Sequence, residues 1–249
     1  MEAEYKEEKD VGIIILNRPD KKNSISMEMS ECFEKIIDND LKDNGRVKVV
    51  IITGAGKFFC AGADVSEFQK LNNPTYLERF LESGRYFMNG LSKIPQFVIA
   101  ALNGPTFGGG LEIALAADYI IAQDSNEGSI GQLEIRFGLI PGAGGTQRLP
   151  LRTGMGVAKK LIMSGEVITP KQALQYRIVD ELSDNPLQRA LELSKAYSDK
   201  DLVSMGMAKD AIQSHQSGAY EKEKGYFIEC LRRPETQARI EGFLSKSNK

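Results

Sequence analysis

The chain has 249 residues, 41% hydrophobic and 27% charged, an ordinary composition for a globular protein. That length suits one large domain, or one domain with a small appendage, and is enough to bury a sizeable core. With 32 basic and 34 acidic side chains the net charge is −2, which argues against broad binding to nucleic acid or anionic membranes. One histidine, His215, excludes chemistry that needs two. Cys32, Cys60 and Cys230 are too few and too scattered for a disulfide framework or a zinc site. Apolar runs such as Phe97–Leu102 fall far short of the roughly 20 residues of a membrane span. The N-terminal MEAEYKEEKD is charged and has no apolar signal core, so a cytoplasmic, reducing setting is expected.

In chain order, Val11–Leu16 is a β-branched apolar run, read as a strand stopped by Asn17-Arg18-Pro19. Ser26 caps a helix-period stretch with apolar residues at Met29, Phe33, Ile36 and Ile37. Further strands are expected over Val47–Thr53, Phe97–Leu102 and Tyr119–Ala122, with helices over 74–93 and Gly109–Ala117. Strands alternating with helices through short Gly-rich joints predict an α/β core. Met155–Met163 has helical spacing. From Asn185 onward strand signals stop, and helices are expected over Ala190–Tyr197, Leu202–Ile212, Tyr220–Leu231 and Thr236–Leu244. The chain is therefore divided into an α/β core, 1–184, and a helical tail, 185–249. Apolar stripes on the tail helices suit either an oligomer contact or packing on the chain's own core.

Several chemistries lack their motifs. There is no G-x-S-x-G elbow and no Walker A loop, and both Gly-rich runs fail the dinucleotide fingerprint. Carboxylates and backbone amides are the catalytic groups that remain. Three glycine-marked segments carry them. The first, Phe58-Phe59-Cys60-Ala61-Gly62-Ala63-Asp64, follows a strand and lets the backbone approach a ligand closely. The second, from Asn103 to Glu112, places Gly108-Gly109-Gly110 at a helix start, where free N–H groups and the helix dipole favour a developing oxyanion. Glu112 sits in the first turn of that otherwise apolar helix, an unusual place for a merely solvated acid. The third, Gly131 to Leu149, joins Glu134 to a Pro-Gly-x-Gly-Gly run that opens another helix. Alone, Glu134 reads as a surface residue.

Together and in this order, the three segments resemble the crotonase superfamily, the enoyl-CoA hydratase/isomerase group. The resemblance begins at Leu16-Asn17-Arg18-Pro19 and Asn23 and covers nearly the whole chain. It implies a spiral of repeated β-β-α turns with a helical C-terminal region, assembled as a trimer or a dimer of trimers through the tail helices. It implies an acyl-CoA substrate in which coenzyme A is part of the substrate, with no separate cofactor and no metal. The backbone donors to the thioester oxygen then fall on Ala63 and Gly109. Glu112 matches the acid that activates water, and Glu134 the acid that protonates the α-carbon. The loop carrying Ala61, Asp64, Val65 and Ser66 matches the segment that cups adenine and pantetheine. Gly142 is assigned to the substrate as well. Lys21 and Lys22 match phosphate partners by position, the alternative being solvated surface lysines. Phe243 and Lys246 match the tail region that reaches a neighbouring CoA site.

Both acids are present, which favours a hydratase over a double-bond isomerase, since similar isomerases often keep only the second. Leu133 stands where hydratases commonly have proline, and Ser24 replaces a common alanine. Gly131, Leu133 and the Gly-Gly-Gly-Leu-Glu run look closer to methylglutaconyl-CoA hydratases. The alternatives are therefore an isomerase of the same fold, a methylglutaconyl-CoA hydratase-like enzyme with RNA binding, and a non-catalytic acyl-CoA or RNA-binding relative. The intact acids argue against the last, and the net charge of −2 weighs against nucleic acid.

Overall fold

The structure is a computed structural model and describes residues 1–213, 225, 228–229, 231–232 and 234–247. Its frame is a six-stranded sheet. The strands are β1 (Ala3–Glu8), β2 (Val11–Leu16), β3 (Val49–Gly54), β4 (Phe97–Leu102), β6 (Tyr119–Gln123) and β8 (Glu181–Ser183), paired in that order. β1 runs antiparallel to β2, and every other pair is parallel. Register sets Ile13 beside Ile51 and Ile51 beside Ile99, so β-branched side chains stack on one face. Parallel strands covered on both faces read as continuous apolar runs, which is why β2, β3 and β4 stand out in the sequence.

Alternation divides those runs between two cores. Ile14, Val50, Ile52, Val98 and Ala100 face α1 (Met27–Lys35), α2 (Pro74–Lys93) and α3 (Gly109–Leu115). Ile13, Val49, Ile51, Ile99 and Ala101 face the opposite way, toward Ala190 of α7 (Pro186–Ser194). Among these helices, α1 starts where Ser26 accepts the Met29 amide at 3.0 Å and runs on as a π-helical stretch over Ile36–Leu41.

A second, inner layer positions the site. After β2, β3, β4 and β6 the chain makes a short extended segment, and these segments bridge to one another. Ile25 pairs with Ala63, Cys60 with Thr106, β5 (Thr106–Phe107) with β7 (Ile130–Gly131), and Ile130 with Ile168. Long strand, short strand, helix is the repeated turn of the spiral expected from the resemblance. The third glycine-marked segment opens α4 (Gly145–Thr153), followed by α5 (Met155–Ser164) and α6 (Pro170–Gln175).

The described tail is helical: α7, α8 (Leu202–Gln213) and α9 (Pro234–Ser247). The helix expected over 220–231 lies largely outside the described residues, as do His215 and Cys230. α7 begins at Pro186 rather than Ala190, because Asn185 accepts the Gln188 amide at 3.1 Å with proline at the first helical position. α3 ends at Leu115 rather than Ala117, where the Ala116 and Ala117 amides turn back to Ile113 and Ala114. β3 begins at Val49 rather than Val47, since the Lys48 and Val49 amides both donate to the Asp10 carbonyl. No described helix is long and apolar enough to cross a membrane.

Candidate active site

The first two glycine-marked segments meet edge to edge. In the Ile25–Ala63 bridge the Ile25 amide donates to Gly62 at 2.8 Å, and the Asp64 amide donates to Ile25 at 2.8 Å. The Ala63 amide therefore lies on the other edge of its segment, toward Gly109. A Cβ on Gly109 would stand 3.7 Å from that amide nitrogen, and one on Gly62 would stand 3.5 Å from the Gly109 nitrogen. Gly109 is the first residue of α3, so its amide has no partner within the helix. Gly108 holds φ 50° and ψ −124°, a conformation that side chains disfavour. Gly110 packs so closely that a Cβ would come 2.4 Å from the Cys60 carbonyl oxygen. Each glycine of the triplet thus has its own reason to be glycine.

The two acids converge on this pair of amides. Glu112 is 3% exposed, and its Oε1 accepts from the amides of Ala143 at 2.9 Å and Gly145 at 2.8 Å. Its Oε2 lies 3.9 Å from the place a Cβ on Gly109 would occupy. Glu134 opens a 3-10 turn over Glu134–Phe137, and its Oε1 lies 3.2 Å from the place a Cβ on Gly108 would occupy. Gln132 is buried beside it and, with its amide oriented by its neighbours, donates to both Glu134 oxygens at 2.9 and 3.0 Å. Glu112, Glu134, Ala63 and Gly109 all line one cavity of about 260 Å³, together with Ala61, Val65 and Gly142. Two carboxylates beside two aimed amides can move protons next to a carbonyl oxygen that is gaining charge.

The remaining expected residues frame the cavity from outside. Asp64 turns away from it, with Oδ2 3.0 Å from Arg18 Nη2 and Oδ1 accepting the Ser66 amide at 3.0 Å and the Ser66 hydroxyl at 2.7 Å. Burial alone would raise its pKa, but the hydrogen bonds from Ser66 and Arg18 outweigh it and hold the carboxyl below its ordinary value. Lys21 and Lys22 are exposed and do not line the cavity. Lys22 is braced at φ 54°, where its carbonyl accepts the Ala61 amide at 3.0 Å, and its Nζ sits 5.5 Å from the Phe58 ring centre. Phe243 lines the cavity of its own chain and meets Phe137 edge to face at 5.1 Å. Burial pushes the Cys60 thiol up to about 12, which suits packing rather than nucleophilic attack.

Sequence reasoning missed three residues that build the site. Arg18 ties Glu2 and Asp64 together and also donates to the Ser24 carbonyl. Arg148 is buried and donates to the Ala143 carbonyl at 3.0 Å, behind the loop that holds Glu112. Gln132 carries no signal in its spacing. The two arginines stand inside quoted motifs, Arg18 directly before Pro19 and Arg148 three residues after Gly145.

A family model described as enoyl-CoA hydratase/isomerase matches residues 6–245. Human mitochondrial methylglutaconyl-CoA hydratase is 34% identical over 100% of this chain and 75% of its own. The short-chain-enoyl-CoA hydratase of Clostridium acetobutylicum is 32% identical over 95% of this chain and 92% of its own. Among solved structures, the enoyl-CoA hydratase from Bacillus anthracis superposes with a TM-score of 0.81 at 31% identity, covering 99% of this chain and 97% of that one. An enoyl-CoA hydratase/isomerase from Mycobacterium paratuberculosis shares the fold, with a TM-score of 0.90 at 21% identity over 97% of this chain and 98% of that one. The spiral α/β core, with Glu112 and Glu134 on one cavity, has the crotonase fold of these solved structures. The chain belongs to the enoyl-CoA hydratase/isomerase family, within the crotonase superfamily.

Proposed function

We propose that the protein is a hydro-lyase, an enoyl-CoA hydratase. It adds water syn across the 2,3 double bond of a 2-enoyl-CoA thioester to give the 3-hydroxyacyl-CoA. The observation that carries this reading is the approach of Glu112 and Glu134 to adjacent glycines, 109 and 108, beside the Ala63 amide. The thioester oxygen accepts from the Ala63 and Gly109 amides. Charge that builds there as water attacks meets donors already fixed in place, an effect worth about a hundred- to a thousandfold in rate per donor. Glu112, steadied through Oε1, takes a proton from water with Oε2 while the oxygen bonds to C3. Glu134 gives its proton to C2. One water is consumed, and a proton passing from Glu112 to Glu134 through solvent resets the pair.

In this reading coenzyme A enters with the substrate and no other cofactor or metal takes part. The Ala61–Ser66 loop cups adenine and pantetheine largely through its backbone, Gly142 borders the thioester, and Lys21 and Lys22 lie on the phosphate side. The chain works as a homo-oligomer, a trimer or a dimer of trimers. Support for that comes from large apolar side chains left exposed on α4, α5 and α8, among them Leu151, Met155, Met163 and Met207. Light scattering on the purified chain tests the assembly.

The activity test is loss of enone absorbance when the protein is added to crotonyl-CoA, with 3-hydroxybutyryl-CoA identified as product. Interconversion of 3-enoyl- and 2-enoyl-CoA without hydration would make it an isomerase and sink the hydratase reading.

A further inference from the structure

The cavity is lined by groups of two characters. Beside the acids and the segments of Ala63 and Gly109, its lining includes Val65, Phe68, Leu81, Met88, Phe137 and Leu139. Phe68, Leu81, Met88 and Leu139 are buried and belong to hydrophobic clusters under α2 and α9. Among the described residues lining the cavity there is no lysine, arginine or histidine, and its charged groups are Glu112 and Glu134. Several described cations are engaged elsewhere. Lys70 pairs with Glu67 at 3.1 Å, Arg136 donates to the Gly165 carbonyl at 2.9 Å, and Arg148 donates to Ala143 and Asn89. Arg85, on the same helix as Leu81 and Met88, does not line the cavity.

Resting on the hydratase reading, we propose that this chain selects uncharged acyl groups and rejects 2-enoyl-CoA thioesters that carry a second carboxylate. Such a carboxylate would lose its water among apolar side chains without gaining a cation from the described lining. The penalty for an ion buried in that way is several kcal/mol. It would also share the cavity with two acidic side chains, and like charges at close range disfavour one another. A neutral alkyl or ester end meets neither cost and gains apolar contact instead. The selection separates this chain from the methylglutaconyl-CoA hydratases it is similar to, even though identity to the human enzyme is 34% over the whole chain.

A charge-matched substrate series tests the inference on the unaltered 249-residue chain. The probes are crotonyl-CoA and hex-2-enoyl-CoA as neutral chains, glutaconyl-CoA and 3-methylglutaconyl-CoA as acids, and the monomethyl ester of glutaconyl-CoA as a neutral control slightly larger than its acid. The expected result is hydration of the neutral probes, with kcat/KM for each acid at least a hundredfold below that of the best neutral probe, and with the ester recovering most of the loss. An acid less than a hundredfold below the best neutral probe overturns the inference and leaves the hydratase reading standing. Failure to hydrate any probe overturns the hydratase reading itself.

Discussion

The amide of Gly145 donates to Oε1 of Glu112 at 2.8 Å, so the third glycine-marked segment holds the acid supplied by the second. The Ala143 amide makes the same kind of bond, and the Arg148 guanidinium grips the Ala143 carbonyl from behind. The orientation of one acid is thereby set by backbone more than 30 residues downstream in the chain.

Glutamine at either acid keeps the shape and removes the proton chemistry. Glu112→Gln retains a carbonyl oxygen for the two amides, so its fold should be unchanged by circular dichroism and urea titration. Glu134→Gln likewise keeps a polar group beside Gln132. Each variant should lose about a hundred- to ten-thousandfold in crotonyl-CoA hydration, the usual worth of a positioned acid or base. Calorimetry with a saturated acyl-CoA should still find binding within a few-fold of wild type.

The glycine triplet predicts a graded series. Gly110→Ala puts a Cβ 2.4 Å from a backbone oxygen that cannot yield, so little folded protein is expected. Gly108→Ala combines φ 50° with a Cβ 3.2 Å from Glu134, and should cost about 1–3 kcal/mol of stability along with most of the activity. Gly109→Ala meets only the flexible end of Ile25, at 3.0 Å. It should fold, yet lose about a hundredfold or more in kcat as its methyl crowds the space before the Ala63 amide. Thermal melts and kcat measured together distinguish the three.

The Arg18–Asp64 pair predicts acid sensitivity. The Asp64 carboxyl titrates lower in the folded chain than in the unfolded one, where the value is about 3.9. Its contribution is therefore complete above the unfolded value and disappears as pH falls through the folded one. Asp64→Asn should lower stability at pH 7 by about 2–3 kcal/mol, the scale for a charge-assisted bond in a mostly buried pair. The gap from wild type should close below about pH 4 in urea unfolding curves taken across pH.

Much of the architecture is legible in the residues themselves, and the exceptions have physical causes. β2 and β4 fall where their apolar runs begin and end, and α2 spans 74–93 as its period predicts. β1 carries Lys6, Glu7 and Glu8, because a strand with one free edge need not be apolar, and it escapes any search for buried runs. β5 and β7 are two residues each and exist through their partners, so no local pattern announces them. α6 was readable, since Thr169-Pro170 with Gln172 is a capping box, though a six-residue helix offers little else. Glu112, Glu134, Ala63 and Gly109, the residues to which the family resemblance points, lie around one cavity. Gln132 and the bracing of Ala61 by Lys22 depend on segments distant in the chain meeting, which no spacing encodes.

Lys209 secures α8 to the core. Its Nζ lies 2.7 Å from Asp118 and 3.1 Å from the carbonyls of both Leu91 and Gln96, and burial lowers its pKa against the pull of Asp118. Lys209→Met strands the Asp118 charge in the interior and should cost about 3–5 kcal/mol. Adding Asp118→Asn should restore part of that loss, because an amide oxygen can still accept the Val98 amide that Asp118 binds at 2.8 Å. A double-mutant cycle in urea should return a coupling energy above about 1 kcal/mol.

The margins of the main sheet carry a last consequence. One border is β1, whose outer half is charged and exposed, and the other is β8, three residues long. Neither offers a long, flat, apolar ladder on which a stray polypeptide could add itself as a further rung. Copies of this protein that meet at high concentration are thus turned away from runaway cross-chain hydrogen bonding along the main sheet, which leaves the apolar side chains exposed on the described helices as the surface on which they can associate.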